Sequence, residues 1–398
     1  MKKTTVLGGL WLASWMSSCT VGGGDPLARI PEETIQEYPF PGGSPSFLSV
    51  RDMALAEEGL WVLDSSTPFL TFLSSDGSDR AQMGTEGDGP GEFRFPVAVQ
   101  DIDGSDPPAA MVWDLGTGRV SRFTSSGDFL GSEPLHAGGI LRARAGIRKV
   151  SYANPFRIRT LGDTVVSNFF PRRIDRTSDI LSGAILLANS TLEPGSEITK
   201  FVDHIEPSSS SWKEWGDVPT WDLCGETLVV WSPASREILK MDLAGRTVGS
   251  VSLGRSPSPL QDEDVEGYLQ RMARLELGPS VDEAALDLGR MARSVRDRFA
   301  ENRPLVVDLH CEGNLTAWVQ TFDTSLDPLG RGPIWQRISA DGTSQMVRFP
   351  GPFSPFVFTQ NGVFGVSENS EGSQTLAWSP AQPGALSPVS HQLSLQER

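Results

Sequence analysis

The sequence predicts an all-β protein, a six-bladed β-propeller with a short two-helix insertion. Three observations predict this class. Strands with alternating apolar residues recur in hairpin pairs, and the pairs repeat about every 50 residues. The chain of 398 residues holds 41 Gly and 29 Pro, which suits many tight turns. Helical periodicity is confined to residues 258–303.

Three copies of the repeat align without a gap. The strands at residues 60–64, 110–114 and 228–232 each lead through a polar turn to a second strand and then a glycine turn. Weaker copies begin at Thr164, Leu315 and Val363. Six copies at this spacing indicate four-stranded propeller blades. Closure of the ring would then require residues near 33–40 to pair with the last blade.

Two aspartates end equivalent strands of the first two copies. Asp64 and Asp114 are expected to cap turns by accepting hydrogen bonds from backbone amides. The alternative is that they project toward a cation on one propeller face. The third copy has Ser232 at this position, and a serine also caps turns but binds metals weakly.

One connector between blades carries a family resemblance. Residues 87–96 read Gly-Asp-Gly-Pro-Gly-Glu-Phe-Arg-Phe-Pro. Here Gly89 and Gly91 are expected to allow a tight crossing between blades, Phe93 to fill the core between them and Pro96 to open a strand. This pattern resembles the inter-blade signature of NHL-type repeats and of bacterial six-bladed propeller lipoproteins. The resemblance implies a fold and leaves the function open, because propellers host enzymes and binders alike.

The helical stretch breaks the β pattern. Its first half has apolar residues at helical spacing, and Ser280 with Glu283 reads as a capping box for a second helix. One interpretation is a cover docked on a blade or on the channel mouth. The other is a lid or partner-docking surface over a central pocket.

The N-terminus predicts export and lipidation. Lys2 and Lys3 precede an apolar stretch over residues 6–16, which is too short to span a bilayer but suits a signal peptide. The sequence Met16-Ser17-Ser18-Cys19 then resembles a bacterial lipobox, which implies cleavage before Cys19 and lipidation of that residue. The alternative is an ordinary signal peptide with an incidental cysteine.

We therefore divide the chain into a signal peptide (1–18), a flexible tether (19–32) and a propeller (33–398). The expected location is extracytoplasmic, with a lipid anchor in the bacterial membrane. Thr20 after the lipidated cysteine favours the outer membrane if the source is Gram-negative, by resemblance to the sorting rules of such lipoproteins.

Two cysteines remain after Cys19. Cys224 and Cys311 occupy matching places in two successive repeats. An oxidising compartment would permit a disulfide between them. Equivalent sites on neighbouring blades can also be too far apart to bridge, so a disulfide and two buried free thiols both stay open.

Candidate ligand-binding residues are few. Trp212 and Trp215 could stack on a sugar or peptide or fill a blade, whereas Trp221 is expected to fill a blade. Arg157 and Arg159 share a strand face and could hold a carboxylate bidentately, or they could simply pair with local acids on a solvated face.

The sequence contains no local catalytic or metal-binding motif. Its four histidines and three cysteines lack zinc-site spacing, and no Gly-x-Ser-x-Gly elbow is present. We expect no catalytic residue, no metal site and no cofactor, although a structural or channel cation stays open. The net charge of −16 argues against a nucleic-acid partner.

These features predict a lipid-anchored binding or scaffold module for a protein, peptide or glycan, acting as a monomer. The alternative is a propeller enzyme, a lactonase- or lyase-like hydrolase with a channel-bound cation. It would require polar side chains from several blades to converge on the propeller axis.

Overall fold

The structure is a computed structural model. It describes residues 27–37, 45–75, 77–102, 104–134, 152–161, 164–172, 183–189, 200–205, 215–217, 220–243, 245–277, 287–313, 315–322, 331–369 and 372–380. The leader, Cys19 and Trp212 lie outside these residues.

The described part of the chain is almost entirely β-structure. The N-terminal segment contributes β1 (Ala28–Arg29), β2 (Gln36–Glu37) and β3 (Ser46–Phe47). The first sheet contains β4 (Val50–Ala56), β5 (Gly59–Asp64), β6 (Leu70–Ser74) and β7 (Arg80–Met83). A parallel ribbon of β8 (Thr85–Glu86) and β9 (Glu92–Phe93) leads to the second sheet. That sheet contains β10 (Pro96–Asp101), β11 (Ala109–Asp114), β12 (Arg119–Thr124) and β13 (Phe129–Pro134).

Two further sheets repeat this order. The third contains β14 (Tyr152–Leu161), β15 (Thr164–Arg172), β16 (Gly183–Asn189) and β17 (Lys200–Ile205). The fourth contains β18 (Trp221–Cys224), β19 (Thr227–Ser232), β20 (Glu237–Asp242) and β21 (Thr247–Ser252). The insertion follows, with helices α1 (Asp262–Leu277) and α2 (Leu288–Val295).

The last two sheets recruit the N-terminal segment. The fifth contains β22 (Asp308–Cys311), β23 (Ala317–Phe322), β24 (Arg331–Ile338) and β25 (Ser344–Arg348), and β1 is added in parallel to β25. The sixth contains β26 (Phe353–Phe358), β27 (Gly362–Glu368) and β28 (Gln374–Pro380). Both β2 and β3 pair antiparallel with β28.

In the described part of the chain, five sheets are each formed from four consecutive strands, whereas the sequence predicts six such blades. The sixth sheet has only three consecutive strands and takes its outer strand from the N-terminus. The predicted pairing of residues 33–40 with the last sheet is present, since Gln36 lies opposite Trp378 and Glu37 opposite Ala377.

Hydrophobic cores lie between neighbouring sheets. The second strands β5 and β11 are buried at every residue because both of their faces are covered. One core joins the first and second sheets through Trp61, Phe93 and Phe123, and similar cores join the later sheets and connect the sixth back to the first. This arrangement confirms the all-β propeller class predicted from the repeats.

The glycine-rich connector packs as a structural element. Phe93 is fully buried, and its ring lies 6.1 Å from Phe69 of the first sheet and 5.6 Å from Phe123 of the second. Gly91 has a φ of +76°, which favours glycine. The Gly89 amide donates to the Glu92 carboxylate at 2.7 Å. Pro96 begins β10, as the pattern predicts.

The insertion consists of two helices, as expected. Asp287 caps α2 by accepting a hydrogen bond from the Arg290 amide at 3.1 Å. The proposed capping box at Ser280 and Glu283 lies outside the described residues. Among the helices in the described part of the chain, none is long and apolar enough to cross a membrane.

Candidate functional site at the propeller axis

The first strand of each sheet faces a common axis. These strands contact one another from sheet to sheet: β26 with β4, β4 with β10, β10 with β14, β18 with β22, and β22 with β26. Side chains of β14 also reach β18, so the first strands enclose the axis. Polar side chains on these strands can therefore meet near the axis and form a site.

Arg157, on β14, joins three sheets at the axis. Its Nη1 donates to the backbone carbonyl oxygens of Trp221 on β18 and Leu309 on β22. Its Nη2 donates to Oδ1 of Asp308 at 2.6 Å. Burial lowers the pKa of Arg157, but the attraction of Asp308, with that of Asp222 and Asp52, outweighs burial and raises the pKa above its usual value. The guanidinium is therefore a permanent positive charge.

Arg159 lies two residues along the same strand and pairs with Asp222 of β18 at 2.6 Å. The other oxygen of Asp222 accepts a hydrogen bond from the Cys311 amide of β22 at 2.9 Å. Burial alone would raise the pKa of Asp222, but the attraction of Arg159 and Arg157 outweighs it and lowers the pKa. Asp222 is thus an ionised link between the third, fourth and fifth sheets.

Asp52 is a further carboxylate, on β4 of the first sheet. Its carboxylate accepts hydrogen bonds from the Met53 amide at 3.0 Å and from the Val99 amide of β10 at 2.9 Å. Burial raises its pKa, and the more distant charges of Arg159 and Arg157 only partly oppose that effect. Asp52 and Asp222 therefore both join neighbouring first strands but have pKa values shifted in opposite directions.

His310 completes the cluster. Its Nε2 lies 3.1 Å from Oδ2 of Asp308, so one carboxylate contacts both the imidazole and Arg157. The imidazole packs against Trp335 and Phe358, with ring centroids 5.7 Å and 5.3 Å away. Adjacent residues of a strand point to opposite faces. In the structure His310 faces this cluster, whereas Cys311 forms a disulfide.

The axial groups neutralise one another. Asp222 and Asp308 are each paired with an arginine, so these carboxylates are already used by the protein itself. Within the described ranges, no group of three or more His, Cys, Asp and Glu side chains is arranged to hold a metal ion. The arrangement is suited to holding the sheets in a fixed relation and to presenting their loops rigidly.

A disulfide joins Cys224 and Cys311 beside this cluster, with Cα atoms 5.3 Å apart. The sequence left this pairing and two free thiols open. The two cysteines end adjacent first strands, where neighbouring sheets approach most closely, and this explains why equivalent positions lie within bridging distance.

Two of the predicted tryptophans, Trp215 and Trp221, lie in the described residues and serve packing. The Trp215 ring makes edge contacts with Tyr268, Phe299 and Phe322 at centroid distances of 5.4, 5.1 and 5.1 Å. These contacts join the helical insertion to the β23 strand, so the ring is engaged within the protein. Trp221 is buried in the core between the third and fourth sheets.

The turn aspartates cap backbone amides. Asp64 accepts hydrogen bonds from the Leu48 and Ser49 amides, and Asp114 accepts them from the Arg94 and Phe95 amides. The interpretation as turn caps therefore describes both residues.

Sequence reasoning selected Arg157 and Arg159 but missed their acidic partners Asp222 and Asp308. The sequence does contain a signal for them. Residues 222–224 read Asp-Leu-Cys and residues 308–311 read Asp-Leu-His-Cys, at matching places in two successive repeats. A charged residue recurring in a first strand indicates a position on the axis.

Neither a family model nor a curated protein matches the sequence. Several solved structures resemble the chain at low identity. The "Putative exported protein (BF0058)" of Bacteroides fragilis is 11% identical, and the match covers 88% of this chain and 96% of that one with a TM-score of 0.48. A member of the DUF4221 family from Bacteroides vulgatus is 9% identical over 89% and 96% of the two chains, with a TM-score of 0.46.

Regucalcin from Agrobacterium tumefaciens, described as a calcium-binding protein, is 10% identical over 85% of this chain and 91% of its own, with a TM-score of 0.41. Similarity at this level concerns the shape of the chain and assigns it no activity.

Proposed function

We propose that this protein is a lipid-anchored, extracytoplasmic β-propeller that binds a protein, peptide or glycan on a rigid surface. Its ring has six blades, counting the sheet completed by β2 and β3 as the sixth. Lipid on Cys19 holds it at the membrane, the outer membrane if the source is Gram-negative. The tether is the segment between Cys19 and β1, which is shorter than the predicted 19–32 because residues 28–30 belong to the fifth sheet and its core.

The axial cluster is the observation that carries the proposal. Arg157 and Arg159 neutralise Asp308 and Asp222, and Arg157 also donates to backbone carbonyl oxygens of two neighbouring sheets. In an enzyme, charged groups at the axis would point toward a substrate. Here these arginines and aspartates bind each other and the backbone, and so hold the blades in place. A rigid scaffold lowers the entropy cost of binding at its loops.

A binding screen tests this proposal. The full chain, extracted from membranes in detergent, is screened against peptide and glycan arrays with and without EDTA. We expect saturable binding to at least one of these classes that EDTA does not change. Absence of such binding, together with cation-dependent hydrolysis of a lactone or ester, would contradict it and favour the propeller enzyme.

A further inference from the structure

Arg51 lies at an irregularity near the start of the first strand of the first sheet, a feature shared by β10, β14 and β26. The register of β4 against β5 shifts between Val50 and Asp52, so Arg51 is the extra residue of a β-bulge. Bulges re-aim side chains and are common next to functional sites. The bulge turns Arg51 toward the second sheet, where its Nη1 donates to the Pro96 carbonyl oxygen at 2.7 Å.

An exposed aromatic ring lies under this guanidinium. The Arg51 Cζ is 4.2 Å from the centroid of the Phe95 ring, a cation–π contact. Phe95 is nevertheless 47% exposed, and Leu48, just before the same strand, is 66% exposed. The guanidinium therefore lies on a half-exposed aromatic ring, and a second exposed apolar side chain, Leu48, precedes the same strand.

Two carboxylates, Asp64 and Asp114, lie near enough to attract Arg51 but form no ion pair with it. The attraction of Asp64 and Asp114 reaches it, but burial has the larger effect and lowers its pKa. Both aspartates are occupied by the amides of residues 48, 49, 94 and 95. Among the described residues no acidic side chain forms an ion pair with Arg51.

The same caps make the site rigid. Asp64 fixes the backbone that carries Leu48, and Asp114 fixes the backbone that carries Phe95. Exposed apolar side chains on fixed backbone lose little entropy when a partner binds. This distinguishes them from the scattered exposed apolar residues of an ordinary surface.

From these observations we infer a binding site for a peptide C-terminus, formed by Arg51, Phe95 and Leu48. A guanidinium pairs bidentately with a carboxylate, and the flanking Phe95 and Leu48 would contact an apolar last side chain. A monoanion suits the site better than a polyanion because the whole chain carries a net charge of −16. This inference rests on the proposed binding function and names its ligand class.

The test compares two forms of one peptide. Acetyl-Ala-Ala-Leu is prepared with a free C-terminal carboxylate and as the C-terminal amide, and its affinity for the full chain in detergent is measured by titration calorimetry. We expect the acid to bind at least about ten-fold more tightly than the amide. Arg51→Gln should abolish this preference, and Phe95→Ala should weaken both peptides.

A matched control is available at an exposed arginine of the β20–β21 turn. Arg246→Gln removes one positive charge from the surface and should leave both affinities unchanged. Thermal unfolding checks that each variant is folded, and the acid–amide comparison in the unaltered chain needs no variant.

Equal affinities, no binding of the acid, or a preference that survives Arg51→Gln would overturn the site. If the arrays detect a ligand whose binding ignores Arg51→Gln, the binding function stands and this site alone fails. If neither the arrays nor the peptides show binding, both fail.

Discussion

Arg157 and Asp308 are 151 residues apart in the sequence, yet their side chains form an ion pair 2.6 Å long at the propeller axis. The same guanidinium donates to the carbonyl oxygens of Leu309, on the strand of Asp308, and of Trp221, on the first strand of the fourth sheet. One side chain thus links three sheets.

Removal of Arg157 should destabilise the fold. Arg157→Met removes the arginine that pairs with Asp308 and that donates to two carbonyl oxygens, so the free energy of unfolding should fall by about 3 kcal/mol. Urea unfolding followed by tryptophan fluorescence measures this. Arg246→Met is the control, since Arg246 pairs with Asp242 but its side chain is 80% exposed, and its loss should have no measurable effect. Equal effects of the two changes would show that the axial pair is unimportant.

Asp222 should stabilise the fold at neutral pH and lose that effect in acid. Its folded pKa lies below the unfolded value, so its contribution is present above about pH 4 and is lost as pH falls through the folded pKa. Asp222→Asn should therefore lower the free energy of unfolding at pH 7, and this loss should shrink as the pH falls below about 4. Urea unfolding of the unaltered chain and of Asp222→Asn, at pH 7 and at lower pH, measures this loss of unfolding free energy. A deficit that does not depend on pH would contradict the assignment.

Asp52 should show the opposite trend. Burial raises its folded pKa, so the ionised form is unfavourable in the fold, and protonation of Asp52 as the pH falls relieves that cost. The stability of the unaltered chain relative to Asp52→Asn should therefore increase as the pH is lowered toward 4. Parallel pH profiles for Asp52→Asn and Asp222→Asn would refute these opposite shifts.

The Cys224–Cys311 disulfide should contribute to stability by restricting the unfolded chain. It closes a loop with a sequence separation of 87 residues. The double variant Cys224→Ala/Cys311→Ala should lose about 2 to 4 kcal/mol of unfolding free energy. Denaturation of the unaltered chain with and without a reductant provides the comparison. If reductant and substitution both leave the midpoint unchanged, the bridge has no such role.

Phe93 and Phe95 are neighbouring aromatics with opposite roles. Phe93 is fully buried between two sheets, so Phe93→Ala should cost about 3 to 5 kcal/mol through loss of packing and a residual cavity. Phe95→Ala is the matched control, because that ring is largely at the surface and should change stability little. Thermal or urea unfolding of both variants measures the two losses of stability. A similar loss for both would contradict the assignment of Phe93 to the inter-sheet core.

Sequence patterns predict the local features of this fold well, but they predict poorly which side chains from different sheets come into contact. Alternation and glycine turns locate the hairpins, and the connector pattern singles out Phe93, because these signals lie within a few consecutive residues. The partners of Arg157 come from other sheets, and only the closed ring brings them together. Trp215 illustrates the same limit. Its ring packs on Tyr268 and Phe299 of the insertion, which are distant in the sequence and come close only in the folded chain.

Lipidation of Cys19 is the point on which the proposed membrane attachment depends. The chain is expressed with its leader in a Gram-negative bacterium, and the N-terminal peptide of the membrane-extracted protein is measured by mass spectrometry. The proposal predicts a peptide that begins at Cys19 and carries a diacylglyceryl group and an N-acyl chain, and Cys19→Ser should abolish both processing and modification at this position. An N-terminus cut elsewhere, or an unmodified Cys19 thiol in a soluble protein, would contradict the lipid anchor.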